Sequence, residues 1–414
     1  MSRIIVIGGG AAGLLAAGTA AELGAEVTVL EKNKRPGRKL CITGKGRCNI
    51  TNNCTKDVFI ENVNTNPRFL YSAINAFDCS DTMNFFEDLG LRLKTERGNR
   101  VFPESDKATD VVGTLERFAA DSGVNIKCST VVQRLIVKDN AVVGVADKTG
   151  KEYTCDGVII ATGGCSYPKT GSTGDGYEFA RLAGHTIMPA EASLVPLVCD
   201  GSHLADCQDM QGLSLRNTGV KLLENNKEIY SDFGELLFTH FGLSGPTILS
   251  SSAHLNDIKS KNYTVSIDLK PALDFEKLDA RVLRDFDKYK NREISNSLCD
   301  LLPSSMIPVV IRRLGVDPAL RSNSVTREQR HNLVGLLKDM RFDIVSTRPI
   351  DEAIITRGGV KTSEIDPATM ESKLCKGLYF CGEVIDVDAY TGGFNLQIAF
   401  STARLAGTWS VYNS

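Results

Sequence analysis

Short apolar runs alternate with small-residue segments at the start of the chain. Residues 4–7 are branched and apolar, residues 8–24 are rich in glycine and alanine, and residues 27–30 form a second, mostly apolar run. Branched apolar runs of this length are typical of strands that are buried on both faces of a parallel sheet. The pattern therefore predicts a strand, a closely packed helix and a second, parallel strand.

The turn between the first strand and the helix has the spacing G-x-G-x-x-G. Gly8 permits a tight turn, Gly10 lets the backbone approach a pyrophosphate, and Gly13 lets the helix pack closely on its strand. The free N–H groups and the positive dipole end of the helix would face the phosphates. We therefore predict a dinucleotide site whose contacts in this turn are Gly8, Gly10, Ala11, Ala12 and Gly13.

An acid and then a basic loop follow the second strand. Glu31 is placed to accept hydrogen bonds from an adenosine ribose, and its charge disfavours a 2′-phosphate. Residues 32–53 have no hydrophobic periodicity and include seven basic residues, which predicts a long ordered loop. Such a run alone most often marks a solvated face or an RNA-binding patch, but here it follows the ribose-binding acid. We expect the loop to lie along the dinucleotide, with Lys32 among the cofactor contacts, Arg38 or Lys39 balancing the pyrophosphate, and Thr43, Gly44 and Asn49 near the redox ring.

The next segment predicts further elements of the same domain. Helical patterns cover residues 67–77, 81–89 and 106–122, a strand covers 124–127, and a three-stranded meander covers 131–137, 141–146 and 152–155. Residues 158–161 form another strand that leads into a glycine turn. We expect this turn to approach the adenosine-diphosphate half of the cofactor. The predicted contacts here are Val132, Ala161, Thr162 and Gly163.

The second half of the chain changes character twice. Short strands separated by polar turns cover residues 190–270, which indicates a small β domain, and the pattern from about 274 to 340 is helical with proline breaks. The last part returns to the pattern of the first domain. We predict a cofactor domain at 1–189 and 341–414, interrupted by a barrel-like β domain at 190–272 and a helical subdomain at 273–340.

Composition narrows the class of protein. The chain has 414 residues, too many for one compact core, with 42% hydrophobic residues and a formal net charge of −2. No bulk basic excess points to nucleic acid, so we expect a small-molecule substrate. We find no apolar run long enough to span a membrane and no signal peptide before the first strand, and we therefore expect a cytoplasmic protein.

The twelve cysteines and five histidines do not predict a disulfide scaffold or a metal site. No C-x-x-C pair occurs, and the histidines lie far apart in the sequence. Cys41, Cys48 and Cys54 cluster beside the predicted cofactor loop, but six residues separate the first two, which is not the usual spacing of a redox pair. A redox role for these thiols remains an open alternative, and we expect no metal.

Three longer motifs carry a resemblance to a known family. They are GRKLCITGKGRCNITN at 37–52, LFTHFGLSGPTIL at 237–249 and CGEVIDVDAYTGGFNLQIAFSTARLAG at 381–407. Together with the first glycine turn, they resemble the YhiN/BaiN-like flavoproteins, which also include aminoacetone oxidase. The resemblance implies an α/β fold in which a Rossmann-like, glutathione-reductase-like domain binds FAD. It also implies an inserted small β domain and a helical subdomain, with substrate bound where the three pieces meet.

The resemblance assigns roles to the last motif. It implies that Glu383 or Asp386 holds the flavin ribityl chain, and that the N-terminus of the last helix faces the flavin ring. Reduced flavin develops negative charge at N1, which free N–H groups at a helix start stabilise. The predicted contacts are Gly382, Glu383, Asp386, Gly393, Phe394, Asn395 and Leu396.

Several reactions are compatible with such a flavin site. The family resemblance implies either reduction of an electron-poor double bond of 3-oxo steroid type, with NADH or NADPH as a transient donor, or oxidation of a small amine such as aminoacetone by oxygen. An FAD-bound RNA-modifying or RNA-binding protein and a non-catalytic flavin sensor are further alternatives. The catalytic residues are unknown, and Tyr167, His240 and Tyr390 are candidate proton donors because they flank the motifs.

Overall fold

The computed structural model describes residues 1–258 and 260–413. The chain forms two compact units, one made of Met1–Ser193 with Ile350–Ser414 and the other of Leu194–Pro349. The second unit is therefore an insertion in the first. No helix within the described ranges is both long enough and apolar enough to cross a membrane.

The first 193 residues supply most of the first unit. The helices are α1 (Ala11–Glu22), α2 (Lys56–Glu61), α3 (Tyr71–Ala76), α4 (Cys79–Asp88), α5 (Ala108–Asp121) and α6 (Asp175–Leu182). The strands are β1 (Arg3–Ile7), β2 (Glu26–Leu30), β3 (Thr51–Asn52), β4 (Val63–Thr65), β5 (Leu93–Glu96), β6 (Arg100–Pro103), β7 (Asn125–Lys127), β8 (Val132–Lys138), β9 (Ala141–Asp147), β10 (Glu152–Thr154), β11 (Gly157–Ile160) and β12 (Ile187–Ser193).

The second unit combines a barrel with helices. Its strands are β13 (Leu197–Cys199), β14 (Ser214–Glu224), β15 (Lys227–Thr239), β16 (Gly242–Ser244), β17 (Tyr263–Asp268) and β18 (Met340–Thr347). Its helices are α7 (Gly201–Asp209), α8 (Pro246–Ser252), α9 (Phe275–Lys288), α10 (Ile294–Ser297), α11 (Ile307–Leu314) and α12 (Arg327–Lys338). The six strands close in the order β13-β16-β15-β14-β17-β18, and each neighbouring pair is antiparallel.

The boundaries of these units differ from those predicted from sequence. β18 lies in the segment predicted to return to the cofactor domain, but it closes the barrel by pairing with β17 and β13. The segment predicted as a barrel-like β domain, 190–272, also contains the helices α7 and α8. Barrel residues such as Leu236 and helical residues such as Leu333 belong to one hydrophobic core, so barrel and helices form one unit. Apolar periodicity distinguishes element types but does not indicate which elements share a core.

A buried carboxylate holds α7 against α11 in the second unit. Asp206, whose side chain is 5% exposed, pairs through its two oxygens with Arg312 and Arg313. We expect Asp206→Ala to lower the free energy of unfolding by about 2–3 kcal/mol, because it removes the charged hydrogen bonds of both arginines to α7 and leaves the partly buried Arg313 with the backbone oxygen of Arg341 alone among the described residues. Asp209 also pairs with Arg312, but its side chain is 51% exposed. Asp209→Ala is therefore the matched control, with an expected loss of about 0–1 kcal/mol. Urea denaturation of the two variants measures the difference in their free energies of unfolding. Equal losses of stability would contradict the role of Asp206 in holding α7 against α11.

The C-terminal segment completes the first unit. It contains β19 (Ile355–Val360), β20 (Leu378–Phe380), β21 (Asp388–Ala389) and α13 (Phe394–Tyr412). The central sheet is parallel, with the order β20-β11-β1-β2-β7. Helices α1 and α13 approach closely, since a Cβ on Gly407 would lie 2.5 Å from the carbonyl oxygen of Ala16. Because β1 pairs in parallel with both β2 and β11, the carboxyl ends of these three strands lie at the same edge of the sheet. Ligands bind at this edge in folds of this class.

Candidate cofactor site

The glycines of the turn after β1 have two different environments, one tightly packed and one open. Gly8 has φ +104°, and a Cβ there would lie 2.6 Å from the oxygen of Ala161, while a Cβ on Gly13 would lie 1.8 Å from the oxygen of Gly8. These two glycines allow the strand, the turn and α1 to pack. Gly10 differs, because apart from Gly10 and its two chain neighbours no atom of the described residues lies within 4 Å of where its Cβ would be. Gly10 thus borders open space at the start of α1.

The N-terminus of α1 faces this space without a protein cap. Gly10 is the N-cap residue, and among the described residues no side chain caps the helix and no acid occurs in its first turn. The first N–H groups of a helix have no partner within the helix, and with the helix dipole they favour an anion. This end of α1 is suited to a phosphate group.

Glu31 lies at the carboxyl end of β2, beside the turn. Its side chain is buried and accepts hydrogen bonds of 2.7 Å from the backbone N–H of Gly9 and from the backbone and side-chain N–H groups of Asn33. The carboxylate is therefore fixed next to the turn. A buried carboxylate at this position can accept hydrogen bonds from ribose hydroxyl groups.

The basic side chains of the following loop contact other residues of the same unit. The Nζ of Lys32 donates to Thr173 and pairs with Asp175 at 2.7 Å. The guanidinium of Arg38 donates to the side-chain oxygen of Asn33 at 2.9 Å. Lys32 thus ties the loop to the start of α6, while the Arg38 bond lies within the loop itself. The loop is not entirely irregular, because Leu40–Gly46 forms 3₁₀ turns with a kink and residues 51–52 form β3.

Lys39 belongs to a network around Glu383. The Nζ of Lys39 donates to Glu383 at 2.7 Å and to the hydroxyl of Ser166 at 2.6 Å. Glu383 also accepts from the Ser166 hydroxyl at 3.2 Å and from the backbone N–H of Thr356 at 2.9 Å. Sequence reasoning missed Ser166 and Thr356, because no local motif links residues so far apart in the chain.

The middle of the loop contains an unsatisfied polar atom. Gly44 has φ +56°, and its Cβ would lie 3.2 Å from the backbone nitrogen of Asn49. The side-chain oxygen of Asn49 is buried and has no hydrogen-bond partner among the described residues. The hydroxyl of Thr43 donates to the oxygen of Leu40. Since buried polar atoms are normally paired, the side-chain oxygen of Asn49 is suited to accept a hydrogen bond from a bound ligand.

The turn after β11 contains a second buried polar atom without a hydrogen-bond partner among the described residues. Ala161 is buried, and the hydroxyl of Thr162 is buried without a partner in the described part of the chain. Gly163 has φ +72°, and its Cβ would lie 3.2 Å from the hydroxyl of Ser172. Val132, at the start of β8, is buried in the core of the first unit.

The segment after β20 packs on the start of α1. Gly382 has φ +78°, and its Cβ would lie 3.0 Å from the Cβ of Ala12. Asp386 is buried and accepts a hydrogen bond of 3.0 Å from the side chain of Asn66. Burial raises the pKa of Asp386, and the nearby charge of Asp388 adds to this. The carboxyl group is therefore poorly solvated and suited to hydrogen bonding.

The N-terminus of α13 is fixed by close packing. Gly393 is its N-cap residue with φ +102°, and a Cβ there would lie 2.3 Å from the oxygen of Thr51. Asn395 holds the preceding loop, because its side chain accepts from the N–H of Ala389 and donates to the oxygen of the same residue. Phe394 is buried and Leu396 is partly buried in the same core. The described residues provide no side-chain cap and no acid for the first turn of this helix.

The three candidate proton donors have different surroundings. Tyr167 and Tyr390 belong to the first unit, while His240 lies in the second unit between β15 and β16 and is exposed. Tyr167 is partly buried, and burial raises its pKa, as does the nearby charge of Glu352. A raised pKa keeps the phenol protonated, which a proton donor requires.

One thiol of the predicted cysteine cluster contacts a cysteine from outside the cluster. The sulfur of Cys54 lies 4.0 Å from that of Cys79, a residue that sequence reasoning did not include. Cys48 is fully buried, and burial raises the pKa of its thiol to about 12, which makes it a poor nucleophile. Within the described ranges, no group of three or more His, Cys, Asp or Glu side chains could hold a metal ion.

These features fit a bound dinucleotide. Gly10 leaves space at the start of α1, Glu31 offers a fixed carboxylate, and Asn49 and Thr162 have buried polar atoms without partners. The two uncapped helix starts favour negative charge. The fold and the site therefore define a Rossmann-type dinucleotide-binding protein.

Comparisons with known proteins identify the family. Residues 2–409 match the family described as HI0933-like protein Rossmann domain. The chain is 31% identical over 411 residues to the 3-dehydro-bile acid delta(4,6)-reductase of Clostridium scindens, covering 98% of both chains. It is 32% identical to the ribosomal RNA dihydrouridine synthase of Haemophilus influenzae, covering 97% of this chain and 96% of the relative. The solved 3-ketosteroid-delta4-(5alpha)-dehydrogenase of Rhodococcus jostii RHA1 aligns with a TM-score of 0.55 at 17% identity, covering 99% and 97%.

The chain belongs to the HI0933-like Rossmann family, which is the family that its three long motifs resemble. It is an FAD-dependent oxidoreductase. The family and the fold class predicted from sequence, a Rossmann-like FAD-binding domain with an inserted barrel, are thus confirmed.

Proposed function

We propose that the protein reduces a carbon–carbon double bond that is conjugated with a carbonyl group. The observation that supports this proposal is the pair of full-length relatives, a 3-dehydro-bile acid delta(4,6)-reductase and a dihydrouridine synthase, at 31% and 32% identity. Both names describe the addition of two hydrogens across such a bond. The first candidate substrate is a 3-oxo steroid acid with an unsaturated ring, and NADH or NADPH is the proposed electron donor.

Bound FAD would supply the hydride of this reaction. The glycine turn and the start of α1 would bind its pyrophosphate, with Lys32, Arg38 and Lys39 contributing charge near it, and Glu31 would bind its ribose. Residues that we propose near the ring and the ribityl chain are Thr43, Gly44, Asn49, Glu383, Asp386, Gly393 and Asn395. The uncapped start of α13 would stabilise negative charge on the reduced ring.

The substrate needs a proton as well as a hydride. Reduction of the double bond adds the hydride to the carbon remote from the carbonyl group, and the carbon next to the carbonyl then takes a proton. We propose the phenol oxygen of Tyr167 or of Tyr390 as its source, because a protonated phenol at a partly buried position can donate it.

An anaerobic titration tests the proposal. NADH, NADPH and aminoacetone are added separately to the FAD-loaded protein, and the flavin absorbance is followed. We expect a nicotinamide to bleach the flavin and the unsaturated 3-oxo bile acid to restore its colour, with a product heavier by two hydrogens. Bleaching by aminoacetone alone, reversed by air, would contradict the proposal and indicate an amine oxidase.

The second candidate function is dihydrouridine formation in ribosomal RNA, which the 32% identity to the Haemophilus influenzae enzyme favours. The same reduced protein is mixed with ribosomal RNA that lacks the modification. The flavin should then be reoxidised by the RNA and not by the steroid, and nuclease digests should contain dihydrouridine in place of uridine. This result would select dihydrouridine formation over steroid reduction.

A further inference from the structure

A pocket in the second unit contains a lysine among apolar side chains. The pocket has a volume of about 650 Å³, and its lining comprises Asn217, Phe233, Leu269, Lys270, Pro271, Ala272 and Leu273. Most of this lining is apolar, and the volume is in the range of small-molecule sites. Every lining residue belongs to the unit Leu194–Pro349.

The wall of the pocket is held in place by Lys338. Its Nζ pairs with Asp268 at 2.6 Å and donates to the backbone oxygens of Lys270 and Leu273 at 3.2 and 2.7 Å. The N–H of Lys270 donates to Asp268 at 2.9 Å, and the N–H of Leu269 donates to the oxygen of Leu337. The segment that joins β17 to α9 is therefore fixed at both ends, so that the pocket is formed before any ligand binds.

The side chain of Lys270 is a cation that no acid of the described residues contacts directly, although the charge of Asp285 lies close enough to raise its pKa slightly. The nearby acids are engaged elsewhere, because Asp268 pairs with Lys338 and Asp285 accepts two hydrogen bonds from Arg281. The Nζ of Lys270 has no hydrogen bond or ion pair with any residue in the described ranges 1–258 and 260–413. Lys270 is partly buried, and burial, with the charge of Arg281, lowers its pKa. An anion beside the Nζ of Lys270 would favour the protonated amine and so oppose the lowering of its pKa by burial and by Arg281.

We propose that this pocket binds an amphipathic carboxylate, with its carboxylate paired to the Nζ of Lys270 and its apolar body against Phe233, Leu269 and Leu273. Phe233 lines the pocket and is 54% exposed, so its ring is accessible to the apolar part of a ligand. Lys270 is the one cation among the seven lining residues, which suits one carboxylate and not a polyanion that would need several cations in the lining. Fatty acids and steroid acids share this chemistry. The proposal concerns this unit alone and does not depend on the reaction proposed above.

Calorimetric titration of the FAD-loaded full chain with decanoate and with cholate tests the proposal. We expect saturable binding of at least one of them, and the better ligand identifies the aliphatic or the steroid class. Lys270→Met should weaken the binding about tenfold or more, since it removes a charge-assisted contact, whereas Lys270→Arg should retain most of it. Phe233→Ser should weaken the binding of decanoate and of the neutral decan-1-ol alike.

A neighbouring lysine provides the matched control. Lys277 is exposed, pairs with Asp274 and does not line the pocket. Lys277→Met should bind decanoate or cholate as the parent does. No saturable binding of either acid, an unchanged affinity in Lys270→Met, or an equal loss in Lys277→Met would each overturn the proposal.

Chemical labelling provides a second readout that needs no variant. Acetic anhydride at low concentration acetylates unprotonated amines, and peptide mass spectrometry measures the labelling of Lys270 and of Lys277. The bound acid should protect Lys270 and leave Lys277 unaffected. Equal labelling of Lys270 with and without a saturating acid would overturn the proposal.

Discussion

Replacing Gly10 with valine should leave the fold intact and remove bound FAD. No described atom lies within 4 Å of the Cβ position at Gly10, and the backbone there has φ −83°, which valine adopts without strain. The two added methyl groups would occupy the space through which a pyrophosphate must approach the start of α1. We expect FAD to bind at least about 100-fold more weakly, a loss of roughly 2.7 kcal/mol.

The measurement is the ratio of FAD to protein after purification, followed by FAD titration of the apoprotein. Gly113→Val is the matched control, because Gly113 lies in α5 and also has no described atom within 4 Å of its Cβ position. The control should retain FAD like the parent. Retention of FAD by Gly10→Val would show that the dinucleotide lies elsewhere, while loss of far-UV circular dichroism in that variant would show that the open space is needed for folding.

Local patterns were sufficient to predict the first βαβ unit. Branched apolar runs, the glycine spacing and Glu31 all lie within about 30 residues, which is the size of one such unit. The structure places Glu31 beside the turn through its hydrogen bond with Gly9, as the spacing requires. The meander at β8 to β10 was also predictable, because its strands pair with their neighbours in sequence.

Contacts between distant segments were not predictable from one sequence. The barrel closes where Leu197 pairs with Thr347, and nothing in either short strand specifies its partner. The same applies to the network of Lys39, Ser166 and Glu383, where long-range packing decides which hydrogen bonds form. Sequence reasoning therefore missed Ser166 and Thr356, which hold Glu383 in position, while the cofactor contacts that it predicted stay predictions.

Replacing Gly393 with alanine should destabilise the first unit strongly. An alanine Cβ at this position would lie 2.3 Å from the oxygen and 2.4 Å from the carbonyl carbon of Thr51, so β3 or the start of α13 must move. Both neighbours are backbone atoms that belong to regular elements, and neither can rotate away. The backbone at Gly393 also has φ +102°, where an L-residue is strained.

Gly24 provides a control position that has the backbone strain of Gly393 but not its steric clash. Gly24 has φ +89°, yet no described atom lies within 4 Å of its Cβ position. Gly24→Ala should therefore cost only the backbone strain, about 1–2 kcal/mol. Gly393→Ala adds overpacking of about 1–3 kcal/mol and should cost about 2–5 kcal/mol in total.

Urea denaturation and the FAD content of the two variants distinguish these effects. Moving the start of α13 also moves its free N–H groups, and we therefore expect Gly393→Ala to lose FAD while Gly24→Ala keeps it. If both variants lost the same stability, the contact with Thr51 would contribute nothing. If Gly393→Ala were destabilised but kept FAD as tightly as the parent, the start of α13 would be a structural junction and not part of the flavin site.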